Sequence, residues 1–132
     1  MGAAGSLYWG SKYLDIFSVA VALDGGGGTS MTDSSARNYV PLFKEKAEDI
    51  KKSLKIRFVQ GGMRTKSFRD SLEKLGIKYD FDQVPKDVSY FEDGCPCLNK
   101  RDKTKLFLHN PACMIKDKWG ESTWKFIGDN SK

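Results

Sequence analysis

All three cysteines and the only histidine of this chain fall within 19 residues, in the stretch "DGCPCLNKRDKTKLFLHNPAC". Cys95, Cys97, His109 and Cys113 supply three thiols and one imidazole, the donor types that hold zinc in a tetrahedral structural site. Three thiolates held close together need a divalent cation to offset their mutual repulsion. The spacing argues the other way. Zinc knuckles commonly place roughly two to four residues between paired cysteines, because a turn must aim both sulfurs at one ion. Cys95-Pro96-Cys97 leaves a single residue, and Pro111 interrupts the helical turn that would bring His109 beside Cys113. Cysteine is also an ordinary small buried hydrophobe. Zinc is thus the one candidate cofactor, a disulfide from Cys113 to Cys95 or Cys97 is the second reading, and three plain thiols is the outcome the spacing favours. A redox centre has little footing, since a Cys95–Cys97 bridge would close a strained ring.

A second polar cluster is "QGGMRTKSFRD", residues 60–70. Its glycines bring backbone N–H groups within reach of a ligand, and Arg64, Lys66 and Arg69 add positive charge at a helix start, a combination suited to a phosphate. Arg57 lies just upstream, so these four cations form the candidate anion- or nucleic-acid-binding set. The glycine spacing matches neither the P-loop nor the dinucleotide fingerprint. Catalytic chemistry has less support: one histidine, no serine in a nucleophile elbow, and acidic residues Asp80, Asp82 and Glu92 without a distinctive spacing. No enzymatic activity is expected.

The elements that must position these residues follow from hydrophobic periodicity. Pro41 suits a first helical turn, and Phe43, Ala47, Ile50 and Leu54 then share one face. "LKIRFVQGG" alternates as a strand and ends at Gly61-Gly62. "RTKSFRDSLEKLG" reads as a helix with Phe68, Leu72 and Leu75 inward and Gly76 as its C-terminal cap. "IKYDF", residues 77–81, and "KLFLH", residues 105–109, read as further strands, and Trp119 and Trp124 sit in a short C-terminal helix. Helices packed on a small mixed sheet, an α/β or α+β fold, satisfy this order.

The N-terminus has a different character. Only Lys12, Asp15 and Asp24 are charged in the first 31 residues, whereas residues 43–78 carry eleven basic and five acidic side chains. Tyr13, Phe17 and Val21 recur at helical spacing, with Leu7 and Trp9 upstream. Residues 1–23 therefore read as an apolar helical arm, packed on a partner or lying at a membrane interface. A strand over "IFSVAV" and a membrane span are the alternatives, the span opposed by Lys12 and Asp15. "DGGGGTSMTDSS", residues 24–35, reads as a flexible linker, and residues 36–132 as one basic α/β domain. On this division, removing residues 1–31 leaves the body folded. "MGAAGS" also meets the loose pattern for myristoylation at Gly2.

Residues 54–75, "LKIRFVQGGMRTKSFRDSLEKL", resemble the opening strand, turn and helix of a thioredoxin-fold family. That family includes mitochondrial ribosomal proteins and the small matrix-arm subunit of respiratory complex I. Arg69, Asp70, Leu72 and Glu73 take the places of that family's helix motif with one spacing difference, and about a sixth of the chain is covered. The resemblance implies a thioredoxin-like fold, a structural role without catalytic cysteines, and a mitochondrial setting.

The net charge of +5 admits acidic protein, anionic lipid or nucleic acid as partners. An odd cysteine count and the absence of an ordinary secretory signal point to an intracellular or organellar compartment. The expectation that results is a non-catalytic accessory subunit of a large assembly, associated with the mitochondrial inner membrane, such as a respiratory-chain complex. Leu7, Trp9, Tyr13, Phe17, Val21, Trp119 and Trp124 are the expected partner contacts, with anionic lipid a further candidate surface. RNA binding in a mitochondrial ribosome through Arg57, Arg64, Lys66 and Arg69 is the alternative.

Overall fold

The computed structural model describes residues 2–28 and 38–131. Three strands, β1 (Val19–Leu23), β2 (Lys55–Gln60) and β3 (Asp80–Gln83), form one sheet in the order β1-β2-β3, and both pairings are parallel. Helix α1 (Gly2–Lys12) precedes β1, α2 (Val40–Glu45) and α3 (Ala47–Ser53) join β1 to β2, and α4 (Lys66–Lys74) joins β2 to β3. A 3-10 turn at Val88–Tyr90, a short α5 (Pro111–Met114) and α6 (Asp117–Asn130) complete the chain. The expected α/β class is therefore present, with every described strand pair parallel where a mixed sheet was expected. Parallel neighbours need long crossovers, and the helices between the strands supply them.

Side-chain alternation along β2 divides the interior in two. Ile56 and Phe58 face a core shared with Leu7, Ala20, Ala22, Val40, Phe43, Ile50, Phe68 and Leu72, so the helices of both crossovers lie on one face of the sheet. Val59 faces the other side, against Val84, Leu108, Met114 and Trp119, where α6 covers the sheet. Gly76, with φ 68°, ends the turn after α4 as its sequence position predicts.

The N-terminal stretch departs most from the sequence reading. Residues 1–23 do not form a helical arm apart from the body. The helix stops at Lys12, Tyr13 to Phe17 make a turn in which the Phe17 N–H donates to the Tyr13 carbonyl, and Val19–Leu23 is a sheet strand. Leu7, Ala20 and Ala22 are buried in the main core. The strand wins because its β-branched residues pair with β2 while two alanines face inward, a gain no helical register offers. The glycine run after it is also partly built in. Gly27 lies so close to the Phe68 ring that a Cβ there would stand 2.7 Å from ring atoms, and the Tyr39 N–H donates to the Gly27 carbonyl. Residues 29–35 of the expected linker lie outside the described residues.

Two smaller departures concern strand and helix ends. The single helix expected from Pro41 to Leu54 is interrupted at Lys46. "KLFLH" makes only one antiparallel bridge, Leu98 with Leu106. Because β1 and α1 complete the core, deletion of residues 2–23 is expected to unfold the body. Far-UV circular dichroism and amide exchange of the truncated chain check this, and a cooperative native-like melt would contradict it.

Candidate functional site

The carboxyl ends of β1 and β2 converge on Asp24. It is the one non-glycine residue with positive φ among the described residues, at 54°, a conformation aspartate tolerates better than most side chains. Its side chain is 2 % exposed. Oδ1 accepts the N–H groups of Gly61 (2.8 Å) and Met63 (2.7 Å), and Oδ2 lies 2.5 Å from His109 Nδ1. The carboxylate thus closes the end of β1 onto the turn after β2 and holds the segment that carries His109. Gly61 is required there, because a Cβ would overlap the Leu108 carbonyl and the Met114 side chain. His109 is exposed, and Asn110, which follows it, caps α5 by accepting the Ala112 N–H and donates to the Pro96 carbonyl at 3.1 Å. With Nδ1 engaged, the second imidazole nitrogen is the one left for external chemistry.

The cysteine region corrects the expectation of three plain thiols. Cys97 and Cys113 form a disulfide with Cα atoms 5.0 Å apart, buried in the second core, and Cys95 is the free thiol. With Cys97 and Cys113 spent on each other, only Cys95 and His109 remain of the four proposed zinc ligands, too few for a tetrahedral site. Among the described residues no group of three His, Cys, Asp or Glu side chains is placed to hold a metal. Spacing could not reveal the pairing, since it depends on the 97–98 segment folding back beside α5.

The candidate anion site is largely neutralised from within. Arg57 is 2 % exposed, paired with Asp80 and, at 2.5 Å, with Asp82, and its Nε donates to Thr123 Oγ1 at 3.0 Å. It cannot meet a phosphate, a correction to its reading as a surface cation. Lys66 pairs with Asp70 at 2.7 Å, an exposed bridge that raises the Lys66 pKa through the Asp70 hydrogen bond. Arg69 donates to Thr65 and Tyr79 and stacks 3.8 Å from the Phe81 ring centre. Of the four, Arg64 alone is exposed without an ion-pair partner among the described residues.

The expected partner contacts separate into two groups. Leu7 and Trp119 are core residues, which withdraws them as contacts. Trp9 is exposed and stacks on Tyr13, with Lys12 Nζ lying 5.2 to 5.9 Å from the rings of Tyr8, Trp9 and Tyr13. Phe17 and Val21 border a groove of about 390 Å³ between the β1 edge and the end of α6, where Ile16, Val19 and Ile127 also contribute. Ile16 is 65 % exposed, Phe17 41 % and Trp124 62 %. Trp124 shares a helix face with Ile127, three residues on, so the apolar strip continues along α6. Ile16 and Ile127 are groove-lining residues that the sequence reading missed, Ile16 because the turn at residues 13–17 breaks the helical pattern.

No protein-family model, curated protein or solved structure matches this chain. No helix among the described residues is long and apolar enough to cross a membrane.

Two outcomes test this geometry. Asp24→Ala should lower unfolding free energy by about 3 kcal/mol, since two backbone donors lose their acceptor, whereas Asp24→Asn, which keeps an acceptor oxygen and tolerates positive φ, should cost less in urea titration. The non-reduced chain should weigh about 2 Da less than the reduced one, with one thiol titrating. Reduction should destabilise it by about 3 kcal/mol, as expected for a loop of this order, the cysteines being 16 residues apart.

Proposed function

We propose that this protein is a non-catalytic accessory subunit that docks into a larger assembly through the apolar strip beside β1. The observation that carries the reading is the exposure of Ile16 and Phe17 at the groove beside β1, with exposed Trp124 one helical turn from the groove residue Ile127 on α6. Contiguous apolar surface of this kind marks an interaction site, because water contact with it costs free energy that a partner relieves. Aromatic anchors at its margin suit a protein interface.

The setting proposed is the mitochondrial inner membrane, from the likeness of residues 54–75 to the thioredoxin-fold family and from the basic charge. The Cys97–Cys113 disulfide supports an oxidising compartment and so counts against the matrix side that the likeness implies. The polar sites give nucleic acid little support, since Arg57, Lys66 and Arg69 are already engaged by the protein's own acceptors and rings and Arg64 alone is left.

Phe17→Asp and Ile16→Asp test the reading. Both positions are exposed, so the variants should melt like the parent. Expressed as tagged full-length chains, they should shift from the high-mass fraction of a density gradient to the monomer fraction, with incorporation reduced at least tenfold. Normal incorporation of both would refute the proposal.

A further inference from the structure

β1 is the outermost strand of the sheet, and among the described residues nothing pairs with its far side. The Lys55 N–H donates to the Ser18 carbonyl and the Asp24 N–H to the Val59 carbonyl, each at 2.8 Å. With the register running from Val19 opposite Lys55 to Leu23 opposite Val59, those two bonds assign Ser18, Ala20, Ala22 and Asp24 to the β2 side. The N–H and C=O groups of Val19, Val21 and Leu23 therefore point away from the sheet. No described residue hydrogen-bonds to them. Soluble proteins ordinarily blunt such an edge with lysine, proline, a bulge or a covering element. Residues 16–23, "IFSVAVAL", contain neither a charge nor a proline.

From this we infer that β1 accepts an extended strand from a partner protein, which adds to the sheet as a fourth member. Donors and acceptors repeated at every second residue are matched by an extended backbone and by no helix. The groove bordered by Ile16, Phe17, Val19, Val21 and Ile127 lies beside the same edge, so alternate apolar side chains of the incoming strand would fill it. The charge selects the partner. Two copies of this chain, each at +5, repel, whereas a strand with acidic residues at its outward positions is attracted. This inference rests on the accessory-subunit reading for the existence of a partner and goes beyond it in naming how that partner is held.

The test is Val21→Pro. Proline at this position removes one outward N–H and leaves the bonds to β2 intact, an edge-strand context that tolerates it. The probe is a capped peptide of about ten alternating valine and glutamate residues, long enough to span the edge. Added to the isotope-labelled full chain, it should shift the amide resonances of Val19, Val21 and Leu23 and slow their exchange. Val21→Pro should weaken binding at least tenfold while Val21→Ala changes it little. Val19→Pro provides a second variant should the first fail to fold. Unshifted edge amides would overturn the inference. So would edge amides already protected in a protein that sediments as a dimer, because a second copy would then occupy the strand. In the gradient assay, loss of Val21→Pro from the high-mass fraction supports strand addition. Normal incorporation of Val21→Pro beside loss of Phe17→Asp overturns it and leaves the accessory reading standing. Normal incorporation of both overturns the two together.

Discussion

A guanidinium buried in the middle of a three-stranded sheet constrains everything around it. Arg57 projects from the central strand, and leaving its charge unpaired would cost several kcal/mol. Asp80 and Asp82 answer it from β3, two residues apart and hence on the same face. That pairing is compatible with the observed parallel register, in which Arg57 stands opposite Asp80. Thr123 on α6 accepts a hydrogen bond from Arg57 Nε and donates one to the Trp119 carbonyl at 2.7 Å. One side chain therefore couples the neighbour, the register and the covering helix. Both carboxylates remain partly exposed, so the arrangement avoids burying three ions together.

Asp24 does for the chain ends what Arg57 does for the sheet. It ties the first strand, the turn after the second and the His109 segment into one junction, and the Cys97–Cys113 bond fastens the following segment from beneath. The long irregular stretch from residue 84 to 110 is held by these attachments, by the Leu98–Leu106 bridge and by burial of Val84 and Leu108, with little regular pairing. The polar groups most suggestive of chemistry are thus largely committed to structure, whereas the apolar surface beside β1 is uncommitted. That contrast is why the functional reading moves from the charged residues to Ile16, Phe17 and Val21.

Much of the body was legible because its local and tertiary preferences agree. Phe68 and Leu72 repeat at helical spacing with Gly76 after them, and Ile56 and Phe58 alternate along β2, so burial follows the pattern. Residues 13–23 were harder because a short apolar run satisfies helix and strand periodicity about equally. Only pairing with Lys55–Val59, far along the chain, separates the two. Arg57 reads as a surface cation for a similar reason: its acceptors lie 23 and 25 residues away. The disulfide was illegible because spacing says which cysteines are near in sequence, and Cys97 meets Cys113 only after two loops have folded back.

The parallel order of the strands has a consequence for how the chain is made. β1 leaves the ribosome before its partner strand, because the residues it pairs with, Lys55 to Val59, are synthesised 36 positions later. At about 5–20 residues per second, that interval lasts roughly two to seven seconds. Through it an uncharged strand of valine and alanine has both its edges open, beside a helix that cannot yet bury Leu7. A nascent-chain chaperone would shorten that exposure. An uncharged, unpaired strand of this kind makes biosynthesis the stage most vulnerable to aggregation.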